Sequence, residues 1–343
     1  MGGMQATQKA IAARLGVSAS LVSRALRGEA GRIGAAPETI RRICEEAARC
    51  GYAPHLAALS LRGGSNRLLG VVVRDFADPF FGPMLGALQR LAAAEPACSL
   101  VMTGGGPGDQ TPFGRHRLDG FILVGSDFQP PGLERLVQSG TPLVRLGEGA
   151  DDEPIAHVRV AQAFGFNQLL DYLRALGHRY IAYLDNGTPT SARRAALLRQ
   201  GLSQAGLPAP PQAFITLPDT SPQTLSAALR RLMQDQGAER ITAVVAADDV
   251  LALTVLRVLH EAGVRVPRNL SVAGVDDIPF APLAVPALTT IRAPITALAE
   301  QAFRLARGRQ PSGPVRIDVQ PELIVRESCA EPRRREDSPQ GTP

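Results

Sequence analysis

The chain has 343 residues, enough for two or three domains with separate cores, and its 45% hydrophobic and 20% charged content is that of a globular protein. Its net charge of +5 is uneven: residues 1–62 carry nine basic side chains against four glutamates, and the rest of the chain balances. There is no apolar run near the ~18 residues of a membrane helix, no leader, and no metal-ligand or disulfide spacing among Cys44, Cys50, Cys98 and Cys329. The expectation is a reduced, cytoplasmic protein with no membrane partner, metal or cofactor.

Thr7 to Leu26, TQKAIAARLGVSASLVSRAL, reads as two short helices around a tight turn. Ile11 and Leu15 lie one turn apart on the first helix, and Leu21, Val22, Ala25 and Leu26 give the second one apolar stripe. Gly16 supplies the positive φ that ends helix one, Val17 plugs the angle between the helices, and Ser18 caps helix two. The outward face of helix two then carries Ala19, Ser20, Ser23 and Arg24. Small and hydrogen-bonding groups with one bidentate donor fit the DNA major groove, where arginine forks onto guanine O6 and N7. The competing reading is a plain helical hairpin. Against it, the whole basic excess falls on this segment, as contact with phosphates requires.

A Gly-rich loop, Gly28 to Gly34, leads to a third helix opened by Pro37 and ended by Gly51. Its repeat of Ile40, Ile43, Cys44 and Ala47 predicts that these four face the core, completing a three-helix domain over 5–53. Residues 54–66 form the next piece. Pro54 starts a short helix, Leu56, Ala57, Leu59 and Leu61 make it apolar nearly all round, and Gly63-Gly64 stop it. A helix this short does not hold itself together in water, so it forms where its apolar side meets a partner. Packing on the next domain is the plain alternative.

From Leu68 onward buried strands alternate with amphipathic helices. The strands are read at Leu69–Val73, Leu100–Met102, Phe121–Val124, Leu143–Leu146, Tyr180–Leu184, Phe214–Leu217, Thr242–Ala246 and Ser271–Val275. Helices fall near 80–94, 132–139, 162–176, 191–205, 222–236, 249–262 and 294–307. Continuously apolar strands separated by helices mean parallel sheets covered on both faces. Eight such strands exceed one comfortable sheet. The prediction is therefore an α/β body over 67–330 with two lobes: lobe one at 67–158 and 288–312, lobe two at 159–287 and 313–330. Ligands of open α/β sheets bind beyond the carboxyl ends of the strands, here the cleft between the lobes. Residues 331–343 lack apolar side chains and predict a disordered tail.

A helix-turn-helix, an apolar hinge and a two-lobed body resemble the LacI/GalR family of transcriptional regulators. The resemblance runs from about Thr7 to Cys329 and rests on eight motifs in order: IAARLGVSASLVSRAL, GYAP, LLGVVVRDFADPFF, LGHRYIAYL, ITAVVAADDVLAL, LSVAGVDD, PALTTIR and PELIVRES. It implies a periplasmic-binding-protein-like body with two parallel sheets. It also implies a homodimer on a palindromic double-stranded DNA operator, modulated by a small-molecule effector such as a sugar or other small polar metabolite. Ala19, Ser20 and Arg24 fall where the family reads bases, and Thr7, Ser18 and Ser23 join them as candidate DNA contacts. Leu61 matches a leucine that paired hinge helices wedge into the minor groove, and Ala58 also matches, which would explain a segment that is apolar yet unstable alone. His55 and Arg62 remain as phosphate contacts, although His55 replaces the usual Asn and Leu59 the usual Arg. For the effector the resemblance points to Asp78, Phe80 and Phe81 in lobe one, and to Arg194, Asp248 and Asp276 in lobe two.

Each of these has a structural alternative. One of Phe80 and Phe81 belongs to a core, Asp248 or Asp249 caps a helix, and Arg193 stands beside Arg194. The departures from the family are equally informative. Gly147 replaces an Asp, Ala161-Gln162 an Asp-Asn pair, Thr220 a stacking aromatic and Asp248 an Asn. Such a pocket fits an ordinary free hexose poorly, so either the ligand is atypical or the effector response is weakened. The stretch Thr103 to Leu118 is about ten residues short, and its Gly and Pro content predicts that the second helix of lobe one is absent or reduced to a turn. Two other functions were weighed. A solute-binding carrier would lack residues 1–62 and need an export signal. An enzyme would need a catalytic signature, and the chain has no G-x-S-x-G, H-E-x-x-H or phosphate loop, with five dispersed histidines of which His178 reads as structural. The sequence therefore points to a repressor and not to an enzyme.

Overall fold

The structure is a computed structural model that describes residues 7–26, 34–50, 52, 68–95, 98–105, 118–130, 132–150, 153–234, 240–308, 313 and 315–333. Its first helices are α1 (Gln8–Leu15), α2 (Ala19–Ala25) and α3 (Pro37–Arg49). Ile11, Ala12, Val22, Ala25, Ile43 and Ala47 form their common core, with Val17 packed against it. Two expectations are corrected here. Cys44 is exposed, because the buried stripe of α3 runs through Ile43 and Ala47 and leaves position 44 on its rim. Ser23 is buried rather than outward, since it flanks Val22 at the edge of the packed face. His55, Ala58, Leu61 and Arg62 of the predicted hinge lie outside the described residues, as do 106–117 of the shortened segment and 334–343 of the tail.

Lobe one contains β1 (Leu68–Val73), α4 (Phe81–Ala94), β2 (Ser99–Gly104), β3 (Gly120–Val124), α5 (Leu133–Gln138), β4 (Leu143–Leu146) and β5 (Ala156–Val160). Lobe two follows with α6 (Gln162–Ala175), β6 (Ile181–Asp185), α7 (Pro189–Gln204), β7 (Phe214–Thr216), α8 (Pro222–Met233), β8 (Ala243–Ala246), α9 (Asp249–Glu261), β9 (Ser271–Asp276) and β10 (Thr289–Arg292). The chain then returns with α10 (Ile295–Arg307) and β11 (Arg316–Val319) to lobe one, and ends with β12 (Glu322–Ile324) in lobe two. One sheet has the order β11-β5-β4-β3-β1-β2, parallel throughout. The other is β12-β10-β9-β8-β6-β7, parallel except where β12 runs against β10. Both sheets bury their central strands completely, as β1 and β8 show.

The lobe limits therefore differ from the predicted ones. Residues 159–160 and β11 pair in the first sheet, and β10 pairs in the second, so the chain crosses near Ala161, near Ala293-Pro294 and near Gln320-Pro321. The four strands missed in the sequence, β5, β10, β11 and β12, are three to five residues long and interrupted by His, Arg, Thr, Asp or Glu. They carry no apolar run, and neighbouring strands rather than their own pattern hold them.

Candidate functional site

The head presents the turn as its sequence dictates. Gly16 takes φ 67° and its N–H bonds Ala12 O. Thr7 Oγ1 accepts from Ala10 N at 3.2 Å and Ser18 Oγ from Leu21 N at 3.1 Å, so both candidate contacts are N-caps whose hydroxyl protons stay free to donate. Ser20 is exposed, and Ala19 and Arg24 are half-buried. Much of the head's positive charge is already engaged. Arg14 and Arg49 both bind Glu46, tying α1 to α3 and holding that carboxyl down to about 2, while Arg41 binds Glu38 and Glu45. Lys9, Arg24 and Arg42 form no ion pair among the described residues, which leaves Arg24 as the available fork on α2.

In the body, Asp78, Phe80, Phe81, Arg194, Asp248 and Asp276 all line one cavity of about 400 Å³ between the lobes. That volume is within the range of small-molecule sites. Each residue is held by its own element. Asp78 accepts from Phe80 N at 2.9 Å and from Arg74 at 3.1 Å, fixing the turn into α4. Phe81 is buried, with Phe80 edge-on to it at 5.4 Å and Arg74 over its ring, so Phe80 is the more accessible ring.

Arg194 reaches from α7 to three acceptors: Gln162 Oε1 at 3.0 Å, Ala247 O at 2.6 Å and Asp276 Oδ1 at 2.8 Å. Arg193 points elsewhere, to Asp127 of lobe one, which settles which arginine enters the cavity. Asp248 caps α9 through Leu251 N at 2.8 Å and also accepts from Asn186 Nδ2 at 2.6 Å. Asp249, fully buried, instead accepts from Ile278 N and Thr290 Oγ1. Burial pushes the Asp249 carboxyl up to about 8, with Asp276 adding repulsion. Burial likewise pushes Asp276 up to about 6: Arg194 pulls against it, while Asp248 and Asp78 push the same way.

The cavity also takes in Asn186, Thr188, Thr190 and Ser126, which sequence reasoning missed. The usable signal was position, because all four follow the carboxyl ends of β3 or β6. At the departures, Gln162 serves as an acceptor for Arg194, and Thr220 lines the cavity. Gly147 takes φ 136°, and a Cβ there would lie 2.8 Å from Ser126 Oγ and 2.9 Å from Gly125 C. A carboxylate cannot occupy this position without moving the neighbouring turn. His178 is structural, as expected: its Nδ1 lies 2.9 Å from Thr242 Oγ1, and burial lowers it to about 4.

A helix-turn-helix head and a two-lobed body with a cleft between its sheets define a DNA-binding regulator. Residues 170–329 match the periplasmic-binding-protein-like domain family. The chain is 30% identical to the HTH-type transcriptional regulator CelR of Thermobifida fusca over 341 residues, covering 94% of this chain and 98% of that one. Among solved structures, a CelR–cellobiose complex superposes with TM-score 0.66 at 26% identity, covering 94% of this chain and 99% of that one. The Lac repressor dimer bound to operator and the anti-inducer ONPF shares the fold, with TM-score 0.75 at 23% identity over 95% of this chain and 100% of that one. The chain belongs to the LacI/GalR family of transcriptional regulators. Among the described residues no helix is long and apolar enough to cross a membrane.

Proposed function

We propose that the protein is a repressor that binds a two-fold-symmetric operator as a homodimer and is modulated by a small molecule held between its lobes. The observation that carries this reading is Arg24, unpaired among the described residues on a capped helix whose other face is packed, in a chain that also carries the 400 Å³ cleft. The dimer is supported by the loop after β9, where Leu283 is 73% and Val285 93% exposed beside an exposed Phe280. Apolar side chains this bare in one loop suit burial against a second copy. The hinge at 54–66 orders on the operator, with Leu61 as the wedge, Ala58 beside it, and His55 and Arg62 at phosphates. In the cleft, Asp276, Asp248, Arg194, Asp78 and Phe80 face the effector, while Phe81 backs them. The relative solved with cellobiose favours a hydroxyl-rich ligand.

Selection of bound duplexes from a random pool, with and without candidate metabolites, tests the assignment. A palindrome should emerge, and its affinity should fall ~10³-fold or more between 50 and 200 mM salt. In Arg24→Ala, discrimination should drop by ~1–3 kcal/mol at one position per half-site. A uniform loss across all sequences would make Arg24 a phosphate contact instead. Leu61→Ala should weaken operator binding with the body still folded. If no symmetric duplex is preferred, the repressor reading fails and the fold alone stands.

A further inference from the structure

The cavity ends at a turn of lobe one, residues 125–128, that does something the effector reading does not require. Asp127 sits there at φ 54°, a left-handed conformation that Asp tolerates better than most residues, and Gly125 takes φ 124°. The turn is pinned to β4 and the residues after it: Gly125 N donates to Leu146 O at 2.9 Å, Asp127 N to Glu148 O at 2.9 Å, and Glu148 N to Ser126 Oγ at 3.0 Å. From beneath, Arg145 donates to Phe128 O at 3.0 Å and stacks on the Phe128 ring at 5.5 Å. Arg145 is fully buried, and its other nitrogens are fixed by Glu153 at 2.8 and 2.5 Å. A buried guanidinium with its counter-ion is thus devoted to aiming a four-residue turn.

The turn is aimed at the other lobe. Asp127 Oδ2 accepts from Arg193 and, at 3.2 Å, from Thr190 Oγ1, both on the first turns of α7. Neither Asp127 nor Arg193 lines the cavity, although their neighbours Ser126 and Thr190 do. Within its own lobe Arg193 reaches only Thr190 Oγ1, at 3.4 Å, and its Nε is buried without an acceptor. Its guanidinium is therefore committed across the cleft. Among the described residues this is the only ion pair joining the two lobes. Gly147 belongs to the same device, because the turn occupies the space where a side chain at 147 would stand.

We propose that Asp127 is a latch across the cleft, aimed by Arg145, that holds the lobes together through Arg193 and Thr190. A ligand in the cavity that moves Ser126 away from Thr190 parts the latch, and one that keeps them together leaves it shut. As regulation of the cleft, the latch rests on the effector reading above; the test below needs no effector, so the two fail separately.

The test is amide hydrogen exchange on the full-length protein, comparing wild type with Asp127→Asn, Arg193→Gln and the double variant. Asn keeps the left-handed residue and the Thr190 bond while losing the charge. Loss of one half-exposed ion pair should speed exchange roughly two- to fivefold at 124–130 and 186–194, with the central strands unchanged. The double variant should add little to either single one, since both remove the same contact. Arg145→Met combined with Glu153→Leu removes both buried charges at once and should loosen the same two segments. Unchanged cleft exchange in Asp127→Asn and Arg193→Gln overturns the latch, as does full additivity in the double variant. Faster exchange of β1 and β3 in Asp127→Asn overturns it too, because the turn would then be a fold element of lobe one. Wild-type exchange at 124–130 in the Arg145/Glu153 variant removes Arg145 from the proposal.

Discussion

The two lobes have the same strand order, yet they treat their buried carboxylates in opposite ways. Lobe one meets the cavity with the apolar strand ends Val124, Leu146, Val158 and Val160 and with Arg74, Asp78 and Glu148, and keeps Arg145 and Glu153 paired out of solvent. Lobe two meets it with Asn186, Asp248, Asp276 and Arg194. In lobe one burial raises the Glu153 carboxyl, but hydrogen bonds from His157 and Arg145 with the charge of Arg145 outweigh it and hold the group down to about 2. In lobe two burial wins, so Asp249 and Asp276 are pushed up. A buried carboxylate with its own guanidinium fork is a structural part. One whose cation is shared, as Asp276 shares Arg194 with Gln162 and Ala247 O, stays poised for a donor from outside, which is what a ligand wall needs.

The comparison breaks most readily at Glu153. Glu153→Gln leaves Arg145 buried without its counter-charge, and urea unfolding should show a loss of about 3–5 kcal/mol. A loss below about 1 kcal/mol would mean that water reaches the pair and that lobe one is no different from lobe two.

A pH series sharpens it. Asp249 and Asp276 hold their protons more tightly folded than unfolded, so their stabilisation is complete below about 4, the unfolded carboxyl range. It is lost as pH rises through about 6 for Asp276 and about 8 for Asp249. Glu153 acts the other way: its contribution is complete above the unfolded value of 4.5 and is lost as pH falls toward about 2. Stability should fall steadily from pH 5 to 8, and Asp249→Asn should flatten that slope. A slope equal to wild type in the variant would assign the titration to other groups.

Gly147→Ala probes the wall of lobe one. The left-handed φ and the contact with the 125–128 turn should cost about 1–3 kcal/mol, seen as a lower thermal midpoint. The smallest effect is expected at Arg159, which bridges Glu148 and Asp318 near the surface of lobe one. Arg159→Gln should cost about 0.5 kcal/mol and lose even that in high salt.

How far these features could be read in advance follows from the distance over which each is determined. The turn at Gly16, the cap at Ser18 and the central strands were legible because each depends on a few adjacent residues or on one apolar run. The six predicted effector residues converge on one cavity, but the family resemblance and not the local pattern singled them out. Ser23 and Cys44 were misplaced because a helical stripe has rims, and only the packed neighbours decide on which side of the rim a residue falls. The crossings near residues 161, 293 and 320 were displaced because short polar strands take their sheet from their neighbours.

By itself the sequence determined the head, the alternation of strand and helix, and the two-lobed plan, since propensity, capping and hydrophobic period act within a few turns of chain. The tertiary structure alone decided which carboxylates are spoken for. Asp248 and Asp249 are neighbours in the chain, as are Arg193 and Arg194, yet Asp249 is sealed against Ile278 N and Thr290 while Asp248 caps α9 at the cavity wall, and Arg193 reaches the opposite lobe while Arg194 enters the cavity. Burial and the placement of counter-charges from distant strands make that choice, and no local pattern encodes them.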